Sequence, residues 1–356
     1  MTSITLLLIL AATAALAWAG TGLIIRNAVA WGLEDVPNER SSHTRVTPRG
    51  GGAAIVAASL AGFLLLTLAA VTLPHLVGLG QPLDQGAFAN LLVQDAAWLY
   101  SLGPLAWIAL PLLLAALVLG ILGLQDDREP LSIRLRLGFQ LFCCAWLLVV
   151  LSSLPGAGSA WAGLKEQLWQ LLSSWGLPGM SETFTQAEAR DALLPALMTL
   201  GLVVALMLLG TWWINLYNFM DGIDGIAASQ ALFMLLAGVL LRSLMLAENG
   251  ADTASGLLER LQLQFLMTDP WSVGSLIIAA ATAGFLVHNW APARIFMGDA
   301  GSLFLGFSIL AVAGLDITGH LTWLREAQLT GEADVSAGYG IPVTSWMILG
   351  ALFITD

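Results

Sequence analysis

Asn215-Leu-Tyr-Asn218-Phe-Met-Asp221-Gly-Ile-Asp224-Gly225 lies between two long apolar runs, roughly 193–214 and 225–246. Four amide or carboxylate side chains recur here at three-residue steps, which lines them along one drifting stripe if the segment is helical. Such groups are costly between membrane spans unless they bind something. A polar breaker between two helices accounts for one or two of them, but not for four in register. The stripe therefore reads as a site that holds a metal or hydrogen-bonds a nucleoside, with Gly222 and Gly225 permitting close backbone approach.

Working outward, the chain is 58% hydrophobic and only 10% charged, against roughly 25% charged residues in a soluble domain. Apolar runs of about 20 residues are the length of a membrane-spanning helix and far exceed the ~10-residue alternating segments of a barrel. The expected fold is all-α: a polytopic transmembrane bundle forming a single domain over 1–356. Its spans fall near 4–25, 53–73, 104–124, 135–154, 193–214, 225–246, 272–290, 301–317 and 341–356, about nine in all. The ninth run is short and ends on carboxylates, so the C-terminus reads as truncated. The first run has no basic residue before it and is too long for a secretory signal, so it is expected to be retained with its N-terminus outside.

This parity places four polar segments on one face: 26–52, 125–134, 215–224 and 289–300. They carry Arg26, Arg40, Arg45, Arg49, Arg128, Arg134 and Arg294, with Arg136 just beyond, eight of the 13 basic residues. A Lys/Arg excess marks the cytoplasmic side. The net charge of −11 comes largely from acids in the opposite loops, and nothing in the sequence suggests nucleic acid. Segment 161–175 has helical spacing of apolar residues and is expected to lie along the outer surface. Most of the 14 tryptophans fall near span ends, as an aromatic belt requires. Cys143 and Cys144 are adjacent and read as small apolar fillers.

Each remaining polar segment has its own chemistry. Asp126-Asp127 offers paired carboxylates suited to a hard divalent cation or to phosphate handling; a charged cap that merely ends the span is the plain alternative. Arg134 and Arg136 face lipid headgroups or substrate phosphate. Phe296-Met-Gly-Asp299-Ala-Gly-Ser302 places an aromatic ring, a turn and a carboxylate at a helix start, where free N–H groups attract phosphate. His288 beside Asn289 reads as structural. Arg40, His43, Arg45 and Arg49 lead into Gly50-Gly51-Gly52, a basic glycine-rich loop suited to clamping a diphosphate.

Taken together, Asp35-x-Pro-x-x-Arg40-Ser-Ser-His43, Asp126-Asp127, Asn218-Phe-Met-Asp221-Gly-x-Asp224-Gly225 and Asn289-x-x-Pro292-Ala-x-x-Phe296-Met-Gly-Asp299 resemble the polyprenyl-phosphate N-acetylhexosamine-1-phosphate transferases. This is glycosyltransferase family 4, which includes the muramoyl-pentapeptide phosphotransferases of peptidoglycan synthesis. Arg40-Ser-Ser-His43 and Thr47-Pro-Arg-Gly-Gly-Gly52 look closest to the branch that primes O-antigen for lipopolysaccharide. The resemblance implies transfer of a sugar 1-phosphate from a UDP-N-acetylhexosamine to undecaprenyl phosphate, with release of UMP. It implies Mg2+, with Mn2+ as a substitute, and a bacterial inner-membrane location with the site facing the cytoplasm. By the same resemblance Asp299 is the metal-binding aspartate with Asn218 as second ligand, and Asp126 and Asp127 are the catalytic pair. Asp221, Asp224, Asn289 and Phe296 line the uridine-diphosphate pocket; His43, Arg45 and Asn215 join them as substrate-binding residues. A His-containing loop is expected beyond the ninth span. The sugar and any homo-oligomeric state stay open. A secondary transporter of an anionic substrate is the rival reading; its polar breaks would sit near the midplane with internal pseudo-symmetry, whereas these lie at span ends.

Overall fold

The structure is a computed structural model that describes residues 4–35, 37, 46–77, 106–174, 190–250, 270–330 and 340–351. Ten helices follow in order among the described residues: α1 (Ile4–Trp31), α2 (Gly52–Val77), α3 (Ala106–Arg128), α4 (Ile133–Ser152), α5 (Ala157–Ser174), α6 (Arg190–Phe219), α7 (Ile226–Gly250), α8 (Pro270–Asn289), α9 (Gly298–Thr330) and α10 (Val343–Ala351). Eight of them, all but α5 and α10, are long and apolar enough to cross a membrane. Several hydroxyls within these spans are satisfied by their own helix: Thr13, Thr21, Thr282 and Ser308 donate to the carbonyl four residues back. That is how a polar side chain is tolerated where no water can serve it.

Helix α9 runs through the middle of the bundle, packed on α3, α6, α5 and α2; α1 and α8 pack on one another and on α2, and α8 also on α7. Leu119, Ile55, Ile214, Phe285, Phe304 and Phe307 are fully buried at these contacts. The approach is closest where side chains vanish. A Cβ on Gly52 would collide with the Gly301 backbone, and one on Gly123 with the Asp299 carbonyl. Small residues at crossings are the usual means of bringing spans together in lipid. Cys143 and Cys144 are buried and free, filling space between α3, α4 and α6, as expected.

Several boundaries differ from the sequence reading. Helix α3 runs past 124 to Arg128 and α6 past 214 to Phe219, so Asp126, Asp127, Asn215 and Asn218 lie on helices and not in loops. Helix α1 continues past residue 25 to Trp31, carrying Arg26 and Asn27. Helix α9 continues past 317 to Thr330, at ~1.5 Å per residue far longer than a ~30 Å hydrocarbon core. Its extension is covered by α5, with Arg325 Nη1 3.1 Å from Glu166 Oε2, so polar residues there do not end the helix. Helix α5 is the expected amphipathic segment, lying against α9 rather than crossing. The ninth expected span is represented by the nine residues of α10; residues 352–356 lie outside the described ones. A two-stranded ladder not foreseen from the sequence joins β1 (Glu34–Asp35) to β2 (Thr47–Pro48), antiparallel, with Asp35 opposite Thr47.

Candidate active site

The four polar segments meet at one end of the bundle. Backbone bonds stitch the first to the fourth: Gly51 N donates to Phe296 O, Gly52 N to Met297 O, and Phe296 N to Pro48 O. The first also reaches Asp127, because a Cβ on Gly50 would lie 3.8 Å from its Oδ2 and Arg49 is close enough to act on it electrostatically. The Nε of Arg49 is buried without a hydrogen-bond partner among the described residues.

The start of α9 organises the rest. Its leading N–H groups have no intrahelical acceptor, and two carboxylates from other segments supply one. Asp221 Oδ2 accepts from Gly298 N at 2.9 Å. Asp127 accepts from Asp299 N at 3.0 Å through Oδ1 and from Ala300 N at 3.2 Å through Oδ2. Both acids also face the positive end of the helix dipole. The expectation that these N–H groups await phosphate is therefore corrected: protein carboxylates already hold them. Gly298 has φ +73°, and any Cβ there would meet the Asp127 carboxyl at 2.6–2.9 Å, so only glycine admits this clasp. The pKa of Asp221 is raised well above the ordinary carboxylate range, first by burial and then by the negative charges of Asp127 and Asp299.

Held this way, Asp299 projects beside Asn218 and Asp126. Asn218 Nδ2 donates to Asp299 Oδ1 and to Ser302 Oγ, each at 2.8 Å. Asp126 turns the other way from its neighbour: Oδ1 accepts from Leu131 N at 2.6 Å and Oδ2 lies 2.6 Å from Arg136 Nη1. The same nitrogen is 3.5 Å from Asp299 Oδ2. Ser132, whose hydroxyl accepts from Leu135 N, caps α4 and sets Arg136 in its first turn.

The adjacent acids thus differ in kind. Asp127, 5% exposed, caps a helix that is not its own; Asp126 faces the cluster. The plain alternative of the sequence reading, a charged cap, is met by Asp127 in a form no local pattern reveals.

The other expected residues divide. Asn289 is buried, taking Gly225 N at 3.1 Å on Oδ1 and donating from Nδ2 to Ile295 O at 2.9 Å; it staples the third segment to the fourth. Asp224 Oδ2 accepts from Ala293 N at 2.9 Å and does the same. Asn215 forms a reciprocal amide pair with Gln140 of α4 at 2.7 and 3.3 Å, one turn from Asn218. Phe296 is half-buried between the bonds its backbone makes to Pro48 and Gly51. His43 and Arg45, with Arg40, lie outside the described residues. His288 is structural, as expected: its ring stacks on Trp18 and its Nε2 lies 3.1 Å from Trp18 O. Sequence reasoning left Gln140 and Ser302 unassigned and gave Arg136 headgroup or substrate phosphate, not Asp126, as its partner; a glutamine inside an apolar run was the available signal for the first.

No group of three or more His, Cys, Asp or Glu suited to a metal occurs among the described residues. Magnesium rarely asks for one, being held by one or two carboxylates with phosphates and water completing its shell. Asp126 and Asp299 already converge on one cationic nitrogen, so the donor set fits such an ion.

The family model for glycosyl transferase family 4 matches residues 109–317. The chain is similar to a phospho-N-acetylmuramoyl-pentapeptide-transferase of Mycolicibacterium smegmatis, 33% identical over 331 residues, covering 91% of this chain and 71% of that protein. It is also similar to the decaprenyl-phosphate N-acetylglucosaminephosphotransferases of Mycobacterium tuberculosis strain H37Rv, 28% identical over 85% of this chain and 58% of that protein, and of Mycobacterium leprae, 27% identical over 80% of this chain and 54% of that protein. It thus spans little more than half the length of these two decaprenyl-phosphate relatives.

Proposed function

We infer, from the premise that this chain belongs to glycosyl transferase family 4, that it transfers an N-acetylhexosamine 1-phosphate from a UDP-sugar to a polyprenyl phosphate such as undecaprenyl phosphate, releasing UMP. The observation that carries the reading is the convergence of Asp126, Asp299, Asn218 and Arg136 at one end of a bundle of apolar helices. Water-borne nucleotide sugar and membrane-borne lipid phosphate can both reach such a place. The relatives, which include decaprenyl-phosphate N-acetylglucosaminephosphotransferases, support it. The Arg excess of the motif segments supports an inner-membrane orientation with this end in the cytoplasm.

In the reaction, an oxygen of the lipid phosphate attacks the sugar-bearing phosphorus of the UDP-sugar. A new phosphoanhydride forms as the bond to UMP breaks, and UMP leaves with the bond's electron pair. A phosphomonoester has its second pKa near ~6, so the nucleophile is largely dianionic at neutral pH and demands no strong base. The main obstacle is repulsion between anions, so positioning and charge compensation carry the catalysis. Asp299, with Asp126 and Asn218 beside it, would hold Mg2+, which when bound offsets the charge of the diphosphate. Asp127 and Asp221 orient Asp299 through the start of α9. Arg136 supplies a guanidinium fork suited to phosphate.

The test is incubation of membranes containing the chain with undecaprenyl or decaprenyl phosphate and a panel of UDP-sugars. UMP release that depends on lipid phosphate, with a lipid-diphosphate-sugar product by mass spectrometry, is the expected result. Uptake of a solute by reconstituted vesicles without UMP release would instead establish the transporter.

A further inference from the structure

A side chain of the protein itself lies against both Asp126 and Asp299, whose carboxyls are within hydrogen-bonding reach of one another. Arg136 Nη1 reaches Asp126 Oδ2 at 2.6 Å and Asp299 Oδ2 at 3.5 Å, bridging carboxylates carried by α3 and α9. Two features make this an unsettled place for a cation. Arg136 lies in the first turn of α4, where the helix dipole disfavours positive charge. Its side chain is also 36% exposed, against 7% for Asp126 and 28% for Asp299, so rotamer changes alone can withdraw it. The carboxylates keep it there, and its charge lowers the repulsion between two close acids.

We propose that Arg136 is a placeholder cation: it holds Asp126 and Asp299 together in the absence of a divalent ion and gives up its position between them when one binds. The proposal rests on reading these carboxylates as the divalent-ion site. On binding, a doubly charged ion takes over the bridging oxygens, and the guanidinium swings from a helix start that repels it toward the anionic diphosphate. The exchange makes metal occupancy and phosphate contact a single event. It also predicts that the empty protein resists divalent ions more than its two carboxylates alone would.

The test uses the 356-residue chain purified in detergent and titrated with Mn2+, the free ion being followed by electron paramagnetic resonance. Arg136→Met removes the competing charge and is expected to bind Mn2+ about tenfold more tightly than the wild type. Arg136→Lys is expected to remain near wild type, Arg134→Met to be unchanged, and Asp299→Asn to bind more weakly. Equal or weaker binding by Arg136→Met would overturn the exchange while leaving the ion site in place. Saturable binding that Asp299→Asn leaves intact, or none in any form, would remove the ion site and the proposal with it. A second measurement needs no variant: phenylglyoxal modification of the wild type, read by mass spectrometry, should become faster at Arg136 but not at Arg134 when Mn2+ is added. Slower or unchanged modification of Arg136 would also overturn the proposal.

Discussion

Among the described residues, buried charge occurs at two places in this bundle, and the two are built on opposite lines. Deep in the helices, Arg242 of α7 and Asp316 of α9, each 2% exposed, form a closed pair: Arg242 Nε donates to Asp316 Oδ1 at 2.9 Å. Arg242 Nη1 reaches Ser272 of α8 at 3.3 Å and Trp346 Nε1 of α10 donates to Asp316 Oδ2 at 3.2 Å. Among the described residues one cation meets one anion here, and four helices are tied together. At the other place, Asp126, Asp127, Asp221 and Asp299 converge around one helix start. Two of them accept backbone N–H groups and two share one nitrogen of Arg136. A buried ion pair of matched charges joins helices; a cluster of several acids around one guanidinium, opening outward, is ready for a cation.

The comparison breaks most sharply at Asp299. Asp299→Asn is expected to reduce UMP release by at least about a thousandfold with little change in thermal midpoint, since a clustered anion is removed. Retained turnover would show that the surplus charge has no part in the chemistry.

The reverse holds for the closed pair. Arg242→Met or Asp316→Asn leaves a buried charge unmatched and should cost about 3–5 kcal/mol of stability. Folded molecules would keep their activity, and the double variant Arg242→Met/Asp316→Asn should recover part of the loss. Thermal unfolding in detergent checks this, and a double variant no better than the worse single one would deny that the two act as a pair.

Asp127→Asn sharpens the contrast within the cluster. An amide oxygen still accepts one α9 N–H but not two, so stability should fall by about 1–2 kcal/mol, as for a lost cap. If Asp127 acts by orienting Asp299, turnover should fall by about ten- to a hundredfold and not vanish. A loss equal to that of Asp299→Asn would place Asp127 in the chemistry itself. The smallest effect is expected at the exposed Glu166–Arg325 pair, where Glu166→Gln should change stability by less than about 1 kcal/mol.

Much of this architecture is visible in local pattern. Apolar runs of spanning length predict helices because backbone groups in lipid must be satisfied within the segment. Parity then puts the four polar segments on one face, and the structure brings them together there. The amphipathic helix α5, the structural His288 and the small buried cysteines follow from composition and spacing alone. The length of α9 does not, because its outer third persists only under the cover of α5.

Within the site, sequence identified Asp126, Asp127, Asp221 and Asp299 as important residue types but not what each one does. Asp126 and Asp127 are neighbours in the chain, and only the approach of α9 makes one a cap and leaves the other facing Arg136. The stripe from Asn215 to Asp224 looks uniform in sequence, yet its members take Gln140, Asp299, Gly298 N and Ala293 N as partners. Periodicity sets which side chains share a face of their own helix. A partner 60 to 170 residues away depends on how several helices pack, and packing is a property of all of them at once.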